Sequence, residues 1–148
     1  MKIHTKYHGE LEIQPEDILT FEKGIPGFSE EKEFTILPLS EDGIFQVLQS
    51  LSNNQLGFII ANPFQFFKNY DFKMEHSAVE ELDLSSEKDV LVYTILTFQD
   101  PFEKTTANLQ APIVINRVKQ KGKQVILNDI NYKTKHSLFS NEPLASKG

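Results

Sequence analysis

No apolar stripe of helical period runs beyond about two turns anywhere in this chain; short apolar runs cut by Gly, Pro and Asn take its place. That pattern commits the chain to short strands. Ile3, Thr5 and Tyr7 alternate with Lys2, His4, Lys6 and His8, and Leu11 and Ile13 resume the alternation after a turn or bulge at Gly9. The run Ile18–Phe21 ends at Gly24-Ile25-Pro26-Gly27, a tight turn in which Pro26 fixes φ and Gly27 takes a positive φ. Phe34–Leu37 stops at Pro38. Ile44–Leu51 and Leu56–Ala61 form a hairpin across residues 52–55, and Asn62-Pro63 closes its second arm. Val90–Phe98, β-branched and aromatic, predicts a central strand buried on both faces. Ile113–Val118 and Gln124–Leu127 predict a second hairpin with the basic segment 119–123 as its turn. One helix of about two turns is expected, capped by a Ser77-x-x-Glu80 box. The expected architecture is all-β with a minor helix: one small antiparallel barrel-like domain over 1–139, then a flexible tail over 140–148.

A length of 148 residues suits one domain with an ordinary core. The absence of Cys excludes disulfides, thiolate metal sites and a cysteine nucleophile. Met1–Lys6 has no apolar segment behind it, so no signal peptide is expected, and Val90–Phe98 is half a membrane span. The cytoplasm is the expected compartment, and neither cofactor nor membrane contact is expected. The net charge is −6, which disfavours the whole surface as a nucleic-acid binder and favours a monomer. Residues 71–103 hold nine acids against two Lys, whereas 104–148 hold seven Lys and one Arg against two acids. Such a division gives either opposed acidic and basic surfaces or charges that interleave as strands pair. Interleaving is the expectation, because adjacent strands mix distant segments.

Candidate chemistry is sparse. His4 and His8 share a strand face about 13 Å apart, too far for one ion. Gly24–Gly27 lacks the Lys-Ser/Thr of a phosphate loop, and no nucleophile elbow is present. Glu80, Glu81 and Asp83, with Glu87 and Asp89, read as a solvated face able to draw in a basic partner. Arg117, Lys119, Lys121 and Lys123, with Tyr132 as a stacking ring, offer the alternative of a single-stranded RNA-binding barrel. The sharpest anomaly is the Phe-rich segment after Pro63. As a strand it cannot turn Phe64, Phe66, Phe67 and Tyr70 to one core, so some rings are expected on a partner surface, with Phe66 and Phe67 on opposite faces.

Several of these landmarks together resemble the flagellar assembly factor FliW family. They are Phe21-x-x-Gly24-Ile25-Pro26-Gly27-Phe28, Phe45-Gln46, Phe58 to Asn62-Pro63, Asn108-Leu109-Gln110-Ala111-Pro112 running on to Asn116, and Gln124 with Tyr132 downstream. The blocks keep the family's order over about residues 1–139. The resemblance implies a non-enzymatic protein with two partners: flagellin, held in the cytoplasm before export, and CsrA, a basic RNA-binding repressor of flagellin translation. No direct nucleic-acid contact is implied.

Overall fold

Alternation becomes a hairpin at once. In the computed structural model, which describes residues 1–139, β1 (Lys2–Thr5) pairs antiparallel with β2 (Gly9–Glu12). Ile3 and Ile13 are buried beneath this hairpin. It joins the rest of the fold through the Lys6 N–H, which donates to Gln49 Oε1 at 3.0 Å.

The remaining strands are β3 (Leu19–Thr20), β4 (Glu33–Pro38), β5 (Gln46–Ser50), β6 (Gly57–Ala61), β7 (Val90–Thr97), β8 (Thr106–Ala107), β9 (Ile113–Asn116), β10 (Lys121–Gln124) and β11 (His136–Ser137). The order β7-β6-β5-β4-β3-β10-β9 returns to β7, because β9 pairs with Val90–Tyr93. The strands therefore form a closed ring, with β8 and β11 extending from the far end of β7. All neighbours are antiparallel except β3 and β10, which meet at the single parallel pair Thr20–Lys121. Closure leaves few free edges, the barrel-like outcome the short strands predict.

Period-2 alternation divides the apolar residues between two cores. Phe21, Phe34, Leu48, Ile60, Ile113 and Ile115 fill the ring. Ala61, Leu96 and Val114 point outward and are covered by Tyr70, Leu82, Leu109 and Tyr132 from the connecting segments. The second core is what makes every residue of β9 buried. The helix α1 (His76–Glu81) lies in this outer layer with Ala78 and its C-cap Leu82 buried.

Four expectations need correction. The N-cap of α1 is Glu75 without a side-chain cap bond, so Ser77 sits inside the helix and no capping box forms with Glu80. The second hairpin turns at 117–120, not 119–123, and its second arm is Lys121–Gln124. Gly122 sets that register: a Cβ there would stand 2.4 Å from the Phe21 ring, so only glycine lets β10 cross the inner core. β7 is half-buried rather than buried on both faces, with Leu91 exposed. Pro63–Gln65 is a 3-10 turn, not a strand, so Phe66 and Phe67 do not alternate. Instead both rings are half-buried against the outer core. The expected tail, 140–148, lies outside the described residues.

A candidate protein-binding surface

The 62–74 segment leaves β6 because Pro63 cannot continue the ladder, and Asn62 Oδ1 accepts from the Phe64 N–H at 2.9 Å to start the turn. Its rings then take different places. Tyr70 is only 3% exposed, donates its hydroxyl to the Leu109 carbonyl at 2.7 Å, and packs edge-on against Tyr132. Burial pushes that hydroxyl well above the ordinary phenol range. Tyr70 thus belongs to the outer core and offers a partner almost no surface. Phe67 packs edge-on to His136. Phe64 is 43% exposed.

Phe66 joins a surface cluster that the sequence did not announce. It stacks on Phe45 with centroids 6.1 Å apart and meets Phe139 at 6.4 Å. Phe45 in turn meets Phe98 and Phe102, which lie 5.2 Å from each other, and Phe102 meets Phe139 at 5.2 Å. Phe98, Phe102 and Phe139 are all exposed by more than a third. The rings come from separate stretches of chain, so only the repeated Phe after β7 hinted at them. Contiguous exposed rings of this kind mark a protein-contact surface.

A groove opens beside Phe64. Its larger basin, about 880 Å³, is walled by Phe72, Met74, Val79 and Leu84 facing Val90 and Val92. A smaller basin of about 340 Å³ adjoins it between Ile44 and Leu91. Phe64 lines both.

The expected acidic face is compensated in part, at Glu81 and Asp83. Glu81 accepts from Lys23 and from Lys123, each at 2.8 Å. The Lys123 and then the Lys23 ammonium hold the Glu81 carboxyl down, to about 2. Asp83 lies 3.6 Å from Lys119, Glu80 2.7 Å from His76, and Glu22 3.5 Å from Lys121. The acids and the basic hairpin are neighbours, so the charges interleave. The same pairs occupy the lysines that an RNA groove would need, and Tyr132, 1% exposed, presents no ring for a base. His4 and His8 go to different partners, Glu10 and the Pro38 carbonyl.

Most landmark residues of the sequence hold the fold; Phe45, a ring of the surface cluster, is the exception. Phe21 and Ile25 are buried in the ring, and Phe28, though exposed, packs edge-on against Phe58. Gly24 and Gly27 have φ of +66° and +89°, as the Pro26-Gly27 turn requires. Gly24 is the tighter, since a Cβ there would lie 2.7 Å from the Phe28 carbonyl. Gln46 opens β5 opposite Pro38, and Pro63 is buried under the 3-10 turn. Asn108 Oδ1 accepts from the Ala111 N–H, the Ala111 carbonyl accepts from Gln124, and the Pro112 carbonyl accepts from Val125. Leu109 is buried and supplies the carbonyl that holds Tyr70. Asn116, 2% exposed, donates to the Leu82 and Asp83 carbonyls and accepts from the Val118 and Lys119 amides, tying α1 to the turn after β9. Among the described residues no helix is long and apolar enough to cross a membrane.

Comparison with known proteins matches nearly all of this arrangement. The sequence model of the FliW protein family matches residues 2–138. The flagellar assembly factor FliW of Geobacillus kaustophilus is 56% identical over 139 residues, 94% of this chain and 96% of that one. Its namesake in Bacillus subtilis is 56% identical over 138 residues, covering 93% and 96%. A crystal structure of the flagellar assembly factor FliW superposes with a TM-score of 0.90 at 51% identity, covering 96% of this chain and 99% of that chain.

Proposed function

The chain belongs to the FliW family, and from that premise we propose that it is a cytoplasmic, non-enzymatic flagellar assembly factor that holds flagellin before export. Released from flagellin, it takes up the RNA-binding repressor CsrA, and flagellin translation resumes. The observation that supports this reading is the surface cluster in which exposed Phe98, Phe102 and Phe139 surround half-buried Phe45 and Phe66, on a chain so similar to named assembly factors. Flagellin's terminal helices lack their filament neighbours before assembly, and their apolar faces need a surface of rigid rings. For the repressor, attraction comes from the net charge of −6 acting at a distance, since Glu81 and Asp83 are already paired. The repressor's affinity for RNA falls because an acidic neighbour repels phosphate.

The test is titration of the purified chain with flagellin and with the repressor by calorimetry. Both are expected to bind the wild type. The double variant Phe98→Ser, Phe102→Ser should lose at least about tenfold in flagellin affinity at a temperature where circular dichroism shows it still folded. Flagellin binding that ignores the double variant, or no binding at all, refutes the reading.

A further inference from the structure

Strands β6 and β7 part company early. Ile60 pairs with Ile95 and Ala61 with Thr94; the chain then turns at Pro63, and nothing continues the ladder beside the first half of β7. On its other side that half pairs with β9 from Tyr93 to Val90. The Arg117 N–H donates to the Asp89 carbonyl at 3.0 Å, so the backbone groups of 89, 91 and 93 turn toward β9. Those of Val90 and Val92 therefore face away from it. The Val90 N–H is taken by the Glu87 carbonyl. Left toward the groove are the Val92 N–H, the Val92 carbonyl and the Val90 carbonyl, with no strand alongside among the described residues.

These groups match one kind of occupant. A helix has satisfied its own backbone and cannot bond to a strand edge; an extended segment can. A residue opposite Val92 would exchange two hydrogen bonds with it, and the N–H two positions on would reach the Val90 carbonyl. Alternate side chains of such a segment point to opposite faces. Both faces are provided for: the 880 Å³ basin borders Val90 and Val92 but not Leu91 or Tyr93, and the 340 Å³ basin borders Leu91 and Tyr93 as well. The larger basin is walled mainly by apolar side chains and would take the apolar positions of the segment; the smaller one mixes Ile44, Phe64 and Leu91 with Gln46, Asn62 and Gln65, and Phe64 lines both. A second copy of this chain is a poor occupant, since each copy brings a charge of −6.

We propose that the Val90–Val92 edge of β7 is a strand-addition site for an extended partner segment carrying apolar side chains at alternate positions. This rests on the reading that the chain binds flagellin, and it assigns that segment to flagellin.

The experiment combines amide exchange with one substitution. In the free chain the Leu91 and Tyr93 amides, bonded to β9, should exchange slowly and the Val92 amide quickly; saturation with flagellin should slow Val92 by at least about tenfold. Val92→Pro removes the groove-side N–H while sparing the bonds to β9, the one edge geometry in which proline is tolerated in a sheet. It should weaken flagellin at least about tenfold; if the variant does not fold, the exchange result alone decides. Flagellin that binds the wild type while Val92 exchange is unchanged overturns the proposal and leaves the proposed function standing. Unaltered affinity in a folded Val92→Pro variant does the same. Absence of any flagellin binding overturns both. Protection of Val92 that grows with the concentration of the chain alone assigns the edge to self-pairing and overturns it too.

Discussion

Asn116 is the most informative residue to perturb, because one buried amide uses its donors and its acceptor on two different elements. Asn116→Ala removes two bonds to the Leu82 and Asp83 carbonyls, at 2.8 and 3.1 Å, and two from the Val118 and Lys119 amides, at 3.0 and 3.1 Å. The carbonyls sit under the outer layer, and each left without a donor costs about 1 kcal/mol. The turn amides lie beside exposed side chains, regain water, and cost about 0.5 kcal/mol each. The expected loss is about 3 kcal/mol. Asn116→Asp is the sharper test. It keeps an acceptor for the turn amides but aims its second oxygen at two carbonyls, so the carboxylate form should destabilise at neutral pH. Its folded pKa is then raised, and acidification through that pKa protonates it, restores a donor and recovers stability relative to the wild type. Urea unfolding followed by circular dichroism and tyrosine fluorescence measures both; the chain has no Trp to compete. A loss under about 1 kcal/mol for Asn116→Ala, or an Asn116→Asp deficit independent of pH, would refute this account of α1 anchorage.

Two more perturbations address the loop from Gly24 to Gly27 and the Glu81 pairs. Gly27→Val should cost more than about 1 kcal/mol through its φ of +89° alone, and Gly24→Ala should cost more still, because the added Cβ also meets the Phe28 and Ser29 backbone at 2.7 Å. Thermal melts showing Gly27 the more sensitive would reverse that ranking. The Glu81 carboxyl is held down to about 2 by Lys123 and Lys23, so its contribution is complete above its ordinary value near 4.5 and fades as pH falls from there through about 2. The stability gap between the wild type and Glu81→Gln should therefore shrink between about pH 5 and pH 2, and a constant gap would count against the pairing.

The strands were legible wherever a run and its punctuation were adjacent in sequence. β5 and β6 fall inside the expected hairpin, and the Gly27 turn has the expected φ, because local sterics decide both. The legible part of the site was the anomaly itself, a surplus of rings after Pro63. Which rings surface was not legible, because that depends on a second core outside the ring, built from residues far apart in sequence. Tyr70 and Tyr132 go under for that reason, and Phe98, Phe102 and Phe139 stay out. The compensation of Glu81 by Lys23 and Lys123 was hidden likewise, since only strand order brings those positions together. The capping motif at Ser77 failed more simply: the helix begins one residue before it.

Burial of β9 on both faces bears on how the chain finds its alignment. In an ordinary strand a slip of one residue throws apolar side chains into water, and the hydrophobic effect rejects the error. In β9 a slip would trade one dry interior for the other, so Ile113, Val114 and Ile115 carry no parity of their own. The alignment is written at the ends of β9 and at Gly122 in its neighbour instead. Pro112 offers no N–H to a ladder, and the bonds of Asn116 close in only one position. The middle of β9 is thus read by shape, and its last residue by direction. A misaligned β9 would stay dry and still be rejected, by the Phe21 ring waiting for Gly122 and by the unmet bonds of one amide.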